Sequence, residues 1–150
     1  MKIIITLITA VIIMSLYAFN QTSNYTFSSG QDYENRHIQD TTLKNSMKRG
    51  EVLYADFCMQ CHMTDGKGVE KTYPPLAQSD YLSEHKNAIK AVKFGLNGEI
   101  LVNGIKYSGA MADLGLYDDE IADVMNYILN SWNNTSEEII TPELVKQIDK

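Results

Sequence analysis

The sequence predicts an all-α domain of three to five helices interrupted by one small β-hairpin. Apolar residues recur near a 3.6-residue spacing in three stretches, within residues 47–57, 84–94 and 121–132. Between the second and third, Asn103-Gly104 separates two β-prone runs, a strong short-range hairpin signal. With 150 residues, 44% hydrophobic and 21% charged, the chain has the composition of one soluble globular domain with an export segment and a linker.

Residues 1–19 read as a signal peptide or membrane anchor. Lys2 is the only early charge, and the run 3–19 has none. That length fits a long secretory core or a minimal membrane span, and it leaves cleaved and anchored forms both open. Ala18 is a small residue for cleavage, flanked by the bulky Tyr17 and Phe19. Residues 20–42 are rich in Asn, Gln, Ser, Thr and Asp, a composition that buries little apolar surface, and they read as a flexible linker. Residues 43–150 form the folded domain.

The first domain helix carries Met47, Gly50, Leu53, Tyr54 and Phe57 on its inward stripe and runs into Cys58. The middle helix, 84–94, turns Ala88, Ile89 and Val92 inward and stops at Gly95. Glu99-Ile100-Leu101-Val102 and Ile105-Lys106-Tyr107 form the hairpin over 99–107. The last long helix starts at an Asp118 N-cap, with Asp119 and Glu120 in its first turn, and buries Ile121, Val124, Met125, Ile128 and Trp132. Thr141 and Pro142 mark the N-cap and N1 of a short terminal helix.

The net charge of −6 argues against nucleic-acid binding, which wants a basic footprint, while leaving room for local basic patches. The charge is uneven: residues 43–110 hold nine Lys/Arg against seven Asp/Glu, and residues 111–150 hold two against nine. The acidic part reads as a solvated helix, or as one end of a dipole that orients the protein toward a partner.

The chemistry concentrates in Cys58-Met59-Gln60-Cys61-His62, which contains both cysteines of the chain. Two thiols three residues apart on a helical turn share a face, and the adjacent imidazole reaches the same side. This is the attachment signature of c-type haem. A structural zinc site wants four ligands, and no second cluster supplies them. A thioredoxin-like site would sit in a βαβ pattern, which the flanks lack. A disulfide over so short a span leaves His62 unexplained.

Around that motif the chain resembles class I cytochrome c over roughly residues 43–132. Asp65-Gly66-Lys67-Gly68 is similar to the family's Gly-rich loop, Tyr73-Pro74-Pro75-Leu76 to the segment beside the proximal histidine, and residues 120–128 to its last helix. The resemblance implies the cytochrome c fold around one covalent haem c with iron, attached to Cys58 and Cys61 and ligated by His62 and Met111. It also implies a hydrogen bond from His62 to the Pro74 carbonyl and a helix crossing where Gly50 meets Val124 and Tyr127 near Tyr54. Met59 and Met63 lie too close to His62 to reach the other face, Met47 and Met125 read as packing, and His85 is the alternative ligand. His37 falls in the linker. Ala112 stands where many relatives have proline.

The hairpin and the segment 77–82 resemble domains that accompany periplasmic dehydrogenases or are fused to copper nitrite reductases. The function implied is a periplasmic one-electron carrier, not an enzyme, exchanging electrons with a dehydrogenase, reductase or terminal oxidase. Lys67 and Lys71, with Lys86, Lys90 or Lys93, are the residues that would steer such a partner. Alternatives are a haem subunit of a membrane-associated complex, and a peroxidase or gas sensor from which Met111 dissociates.

Overall fold

A computed structural model describes residues 30–150, with side chains from residue 39 onward. The targeting segment, the first part of the linker and the side chain of His37 lie outside these limits. Among the described residues are five α-helices: α1 Gly30–Phe57, α2 Met59–His62, α3 His85–Phe94, α4 Asp118–Leu129 and α5 Pro142–Lys146. A 3₁₀ turn, Asp80–Ser83, precedes α3, and four short strands lie between α3 and α4. None of the described helices is long and apolar enough to cross a membrane. This is the helical architecture with one small hairpin that the sequence predicts.

Helix α1 starts at Gly30, so residues 30–42, expected as linker, are helical. A composition too polar for a core still supports local helix, here aided by the i,i+4 pair of Lys44 with Asp40 at 3.0 Å. The inward stripe of α1 is Ser46, Gly50 and Tyr54, leading to Cys58. Met47 and Leu53 are half-buried, and Phe57, expected inward, is 45% exposed.

Helix α4 crosses α1 at Gly50. A Cβ there would fall on the backbone carbonyl of Asp123 and come within 2.9 Å of the Tyr127 Cβ. The crossing therefore uses Asp123 and Tyr127, one residue away from the expected Val124. Beside it Tyr54, Tyr127 and Trp132 pack as three mutually touching rings, with centroids 5.0–5.5 Å apart. Trp132 lies beyond the helix end, with φ of 50°.

The expected Asp118 cap is displaced by one residue. Tyr117 holds the N-cap position, Glu120 accepts a hydrogen bond from its backbone N–H at 2.9 Å, and Asp118 pairs with Lys93 at 3.2 Å. The acidic helix is not simply solvated. Asp123 is buried and accepts from Ser46 Oγ at 2.7 Å and from Arg49 Nε and Nη2 at 2.5 and 2.7 Å. Asn126 donates to Ser46 Oγ at 2.9 Å and to the Ile140 carbonyl at 2.8 Å, and accepts from the Ile140 N–H at 2.8 Å. That triplet fastens the C-terminal tail, whose Ile140 and Val145 enter the core. The terminal helix begins as expected, with Thr141 Oγ1 accepting from the Leu144 N–H.

The hairpin forms where the Asn-Gly signal puts it: β2 Ile100–Val102 pairs antiparallel with β3 Ile105–Tyr107. Both turn residues are left-handed, Asn103 at φ 50° and Gly104 at 78°. A second ladder was not expected. β1 Leu96–Asn97 pairs with β4 Ala110–Met111, setting Leu96 opposite Met111 and closing the hairpin into an excursion.

Candidate functional site

Helix α1 delivers Cys58, and the single turn of α2 delivers Cys61 and His62. The turn is held by hydrogen bonds from the Cys61 and His62 N–H groups to the Cys58 carbonyl, at 3.1 and 2.9 Å. Met63 then reverses the chain with φ of 65°, and its carbonyl accepts from the buried Tyr54 hydroxyl at 2.6 Å. Desolvation of that hydroxyl raises the Tyr54 pKa.

The Gly-rich loop has a definite task. Gly68 donates to the His62 carbonyl at 3.0 Å, and Val69 bridges to Tyr73, which folds 69–73 back on itself. A Cβ on Gly68 would meet the carbonyl oxygens of Tyr73 and Pro74, and its φ of 61° favours glycine. The Pro74 carbonyl is thereby brought within 2.9 Å of His62 Nδ1. A carbonyl only accepts, so Nδ1 carries the proton and Nε2 keeps its lone pair. Burial lowers the His62 pKa, against the opposing pull of that hydrogen bond, and so favours the neutral ring that binds metals. Burial, with Cys61 nearby, pushes the Cys58 thiol up to about 11.

These residues open onto a cleft of two adjoining lobes that share Cys58, His62, Pro74, Leu96, Ile100 and Met111. The inner lobe is walled by Leu76, Leu82, Ala88, Val92, Val102 and Met125. The outer lobe, about 600 Å³, is of the size that takes a whole cofactor. No charged side chain lines either lobe. A flat apolar tetrapyrrole fits this donor set: two thiols and an imidazole from one turn, a thioether from β4, and hydrocarbon walls.

Cys58, Cys61, His62 and Met111 thus all border one cleft. His85 does not border it; its Nδ1 lies 2.8 Å from Glu138 Oε2. Of the steering lysines, Lys67 pairs with Asp65 at 2.9 Å. Lys93 is tied to the Val145 carbonyl at 2.8 Å and to Asp118. Lys71, Lys86 and Lys90 are exposed. Sequence reading did not single out Leu82, Ile100 and Val102 as cleft walls, although the alternation of the hairpin is the signal for the last two.

The cytochrome c family model matches residues 47–132. Cytochrome c-552 of Thermus thermophilus is 36% identical over 91 residues, covering 57% of this chain and 69% of that protein. A second Thermus thermophilus cytochrome c-552 is matched over 61% of its length. The cytochrome c subunit of the quinone alcohol dehydrogenase of Gluconobacter oxydans is 33% identical over 107 residues, 65% of this chain and 22% of that subunit. The gluconate 2-dehydrogenase cytochrome c subunit of Pantoea cypripedii is 30% identical over 105 residues, 67% of this chain and 24% of that subunit. The chain spans roughly two thirds of the c-552 proteins and under a quarter of either dehydrogenase subunit.

Proposed function

The chain belongs to the cytochrome c family and carries covalent haem c, and from that premise we propose that it is an exported, periplasmic one-electron carrier with His62 and Met111 as axial ligands. The observation that carries the reading is the cleft itself, which His62, fixed by Pro74, and Met111 border together. When bound, the haem supplies an iron that gains and loses one electron.

The chain's residues do the rest. Cys58 and Cys61 provide the thioether sulfurs. His62 presents Nε2 as the donor, while its bond to the Pro74 carbonyl holds the tautomer and raises the basicity of the ring. Met111 offers a soft thioether that favours the ferrous state and so raises the potential. With His62 and Met111 both holding the iron, no open position would be left for a substrate, which favours a carrier over a peroxidase or sensor. Leu76, Leu82, Ile100 and Val102 keep water from the walls.

The uncharged run 3–19 supports export, with the segment either cleaved or kept as a tether. The similarity to dehydrogenase cytochrome subunits supports a dehydrogenase as the electron donor, and keeps alive the second reading of a subunit in a larger oxidoreductase. Phe57 and Tyr73, 45% and 38% exposed, border the outer lobe beside Cys61 and present an apolar contact there. Lys71 lies two residues from Tyr73 and is the steering lysine nearest that rim in sequence.

The test is the absorption spectrum of the purified haem-loaded protein. A low-spin haem, with the weak iron–sulfur charge-transfer band when oxidised and no carbon monoxide binding when reduced, is expected. A high-spin, carbon monoxide-binding haem overturns the carrier reading.

A further inference from the structure

The strand that carries Met111 has little to hold it. Its ladder with β1 is two residues long, and the hairpin it closes pairs only three residues on each side. Ladders this short are marginal in water without outside support. Ala112 adds none of the stiffness that a proline would give.

Support comes from the hairpin tip. Asn103, at the first turn position, exchanges hydrogen bonds with Asp80 across 23 residues of sequence. The Asp80 N–H donates to Asn103 Oδ1 at 2.9 Å, and the Asn103 N–H donates to Asp80 Oδ1 at 2.7 Å. Asn103 Nδ2 also donates to the Gln78 carbonyl at 3.1 Å. The two segments so joined are those that wall the inner lobe, Ser79, Tyr81 and Leu82 on one side and Ile100 and Val102 on the other. At the far end of the excursion, Gly95 lies against the backbone of Met111, Ala112 and Asp113, where a Cβ would come within 2.6 Å of the Met111 carbonyl oxygen.

We infer that Asn103 is a positioning residue for Met111: its bracket onto Asp80 and Gln78 holds the hairpin closed and thereby keeps β4 in register at the cleft. This rests on Met111 being an axial ligand. If the bracket opens, Ile100 and Val102 leave the wall together and Met111 keeps only the two-residue ladder and its local packing, including that against Gly95. The asparagine therefore serves twice, as a left-handed turn residue and as a clasp.

The test uses the haem-loaded protein in the ferric state and titrates it with imidazole, which competes with a methionine sulfur for iron. Asn103→Gly keeps the turn conformation and removes the two bonds made by the side chain, leaving only its N–H on Asp80 Oδ1. Asp80→Ala removes the other half, whereas Asp80→Asn retains an acceptor for the Asn103 N–H. Asn103, Asp80 and Gln78 are all exposed, so the variants leave the core intact. Asn103→Gly and Asp80→Ala are expected to bind imidazole about tenfold more tightly, the scale of one to two lost hydrogen bonds. Asp80→Asn is expected to match the parent protein. Unchanged imidazole affinity in Asn103→Gly and Asp80→Ala, whatever their melting temperatures, overturns the inference. If Met111→Ala binds imidazole no more tightly than the parent, the ligand assignment fails, and the inference falls with it.

Discussion

Replacing Asn126 by alanine tests how the tail is held. Asn126 is 1% exposed and satisfies both backbone groups of Ile140, itself 2% exposed. Alanine removes both partners, while Ser46 Oγ keeps its bond to Asp123. Each orphaned buried group costs about 1–3 kcal/mol, so a tail that stayed in place would lose about 2–6 kcal/mol. Lifting the tail instead exposes Ile140 and Val145, each worth about 1.5–3 kcal/mol when buried. The two routes are comparable, and the smaller governs. The expected loss is about 2–4 kcal/mol, in the form of a tail that opens before the rest of the domain. Hydrogen exchange on the haem-loaded protein reads this directly. The Ile140 amide should lose protection by about 30-fold or more, while amides at the centre of α4 keep theirs. An Ile140 amide as well protected in the variant as in the parent refutes the reasoning.

Gly50→Ala should destabilise the haem-loaded domain by about 1–3 kcal/mol, because its Cβ collides with the Asp123 backbone. Thermal melting reads this as a drop of roughly 4–8 °C per kcal/mol, and an unchanged melting temperature counts against the crossing described. Met111→Ala should abolish the iron–sulfur band and admit carbon monoxide to the reduced protein, and retention of the band assigns the ligand elsewhere. The pKa of His62 is lowered from its ordinary 6.5 by burial, so the folded state binds fewer protons than the unfolded state just below that value. Its contribution to stability is full above 6.5 and is lost progressively as pH falls from there through the depressed folded value. Before haem is attached, the folded chain should therefore lose stability as pH drops below 6.5, and a denaturant midpoint that does not move over that range contradicts the buried, neutral ring.

What the sequence made legible was local. The Cys-His turn, the Asn103-Gly104 hairpin, the Gly95 stop and the Thr141-Pro142 cap each depend on residues a few positions apart. The Pro74 carbonyl was legible through family resemblance, and the hydrogen bond from His62 is there. What was missed depends on partners far along the chain. Asp123 and Asn126 look like the polar face of an amphipathic helix, and only the arrival of Ser46, Arg49 and Ile140 makes them interior. The β1–β4 ladder is too short to leave a periodic trace. Phe57 fits the apolar spacing of α1 but lies on the border of the cleft, because the helix ends there and the chain turns into α2. Lys93 reads as a surface cation, yet it is tied to the tail and to Asp118.

The burial of Cys58 sets an order of events. A thiol pushed up to about 11 is almost entirely protonated at neutral pH, and only the thiolate reacts readily. In the folded chain one of the two attachment points is reached only from the cleft and is chemically quiet. The polar contacts that join α1 to α4 link residues 74 to 80 positions apart, so they wait for the distal part of the chain. The cysteines precede α4 in the chain, and before α4 docks on α1 both are open. The attachment chemistry therefore favours the open chain, in which both thiols are reachable, over the chain with α1 closed on α4.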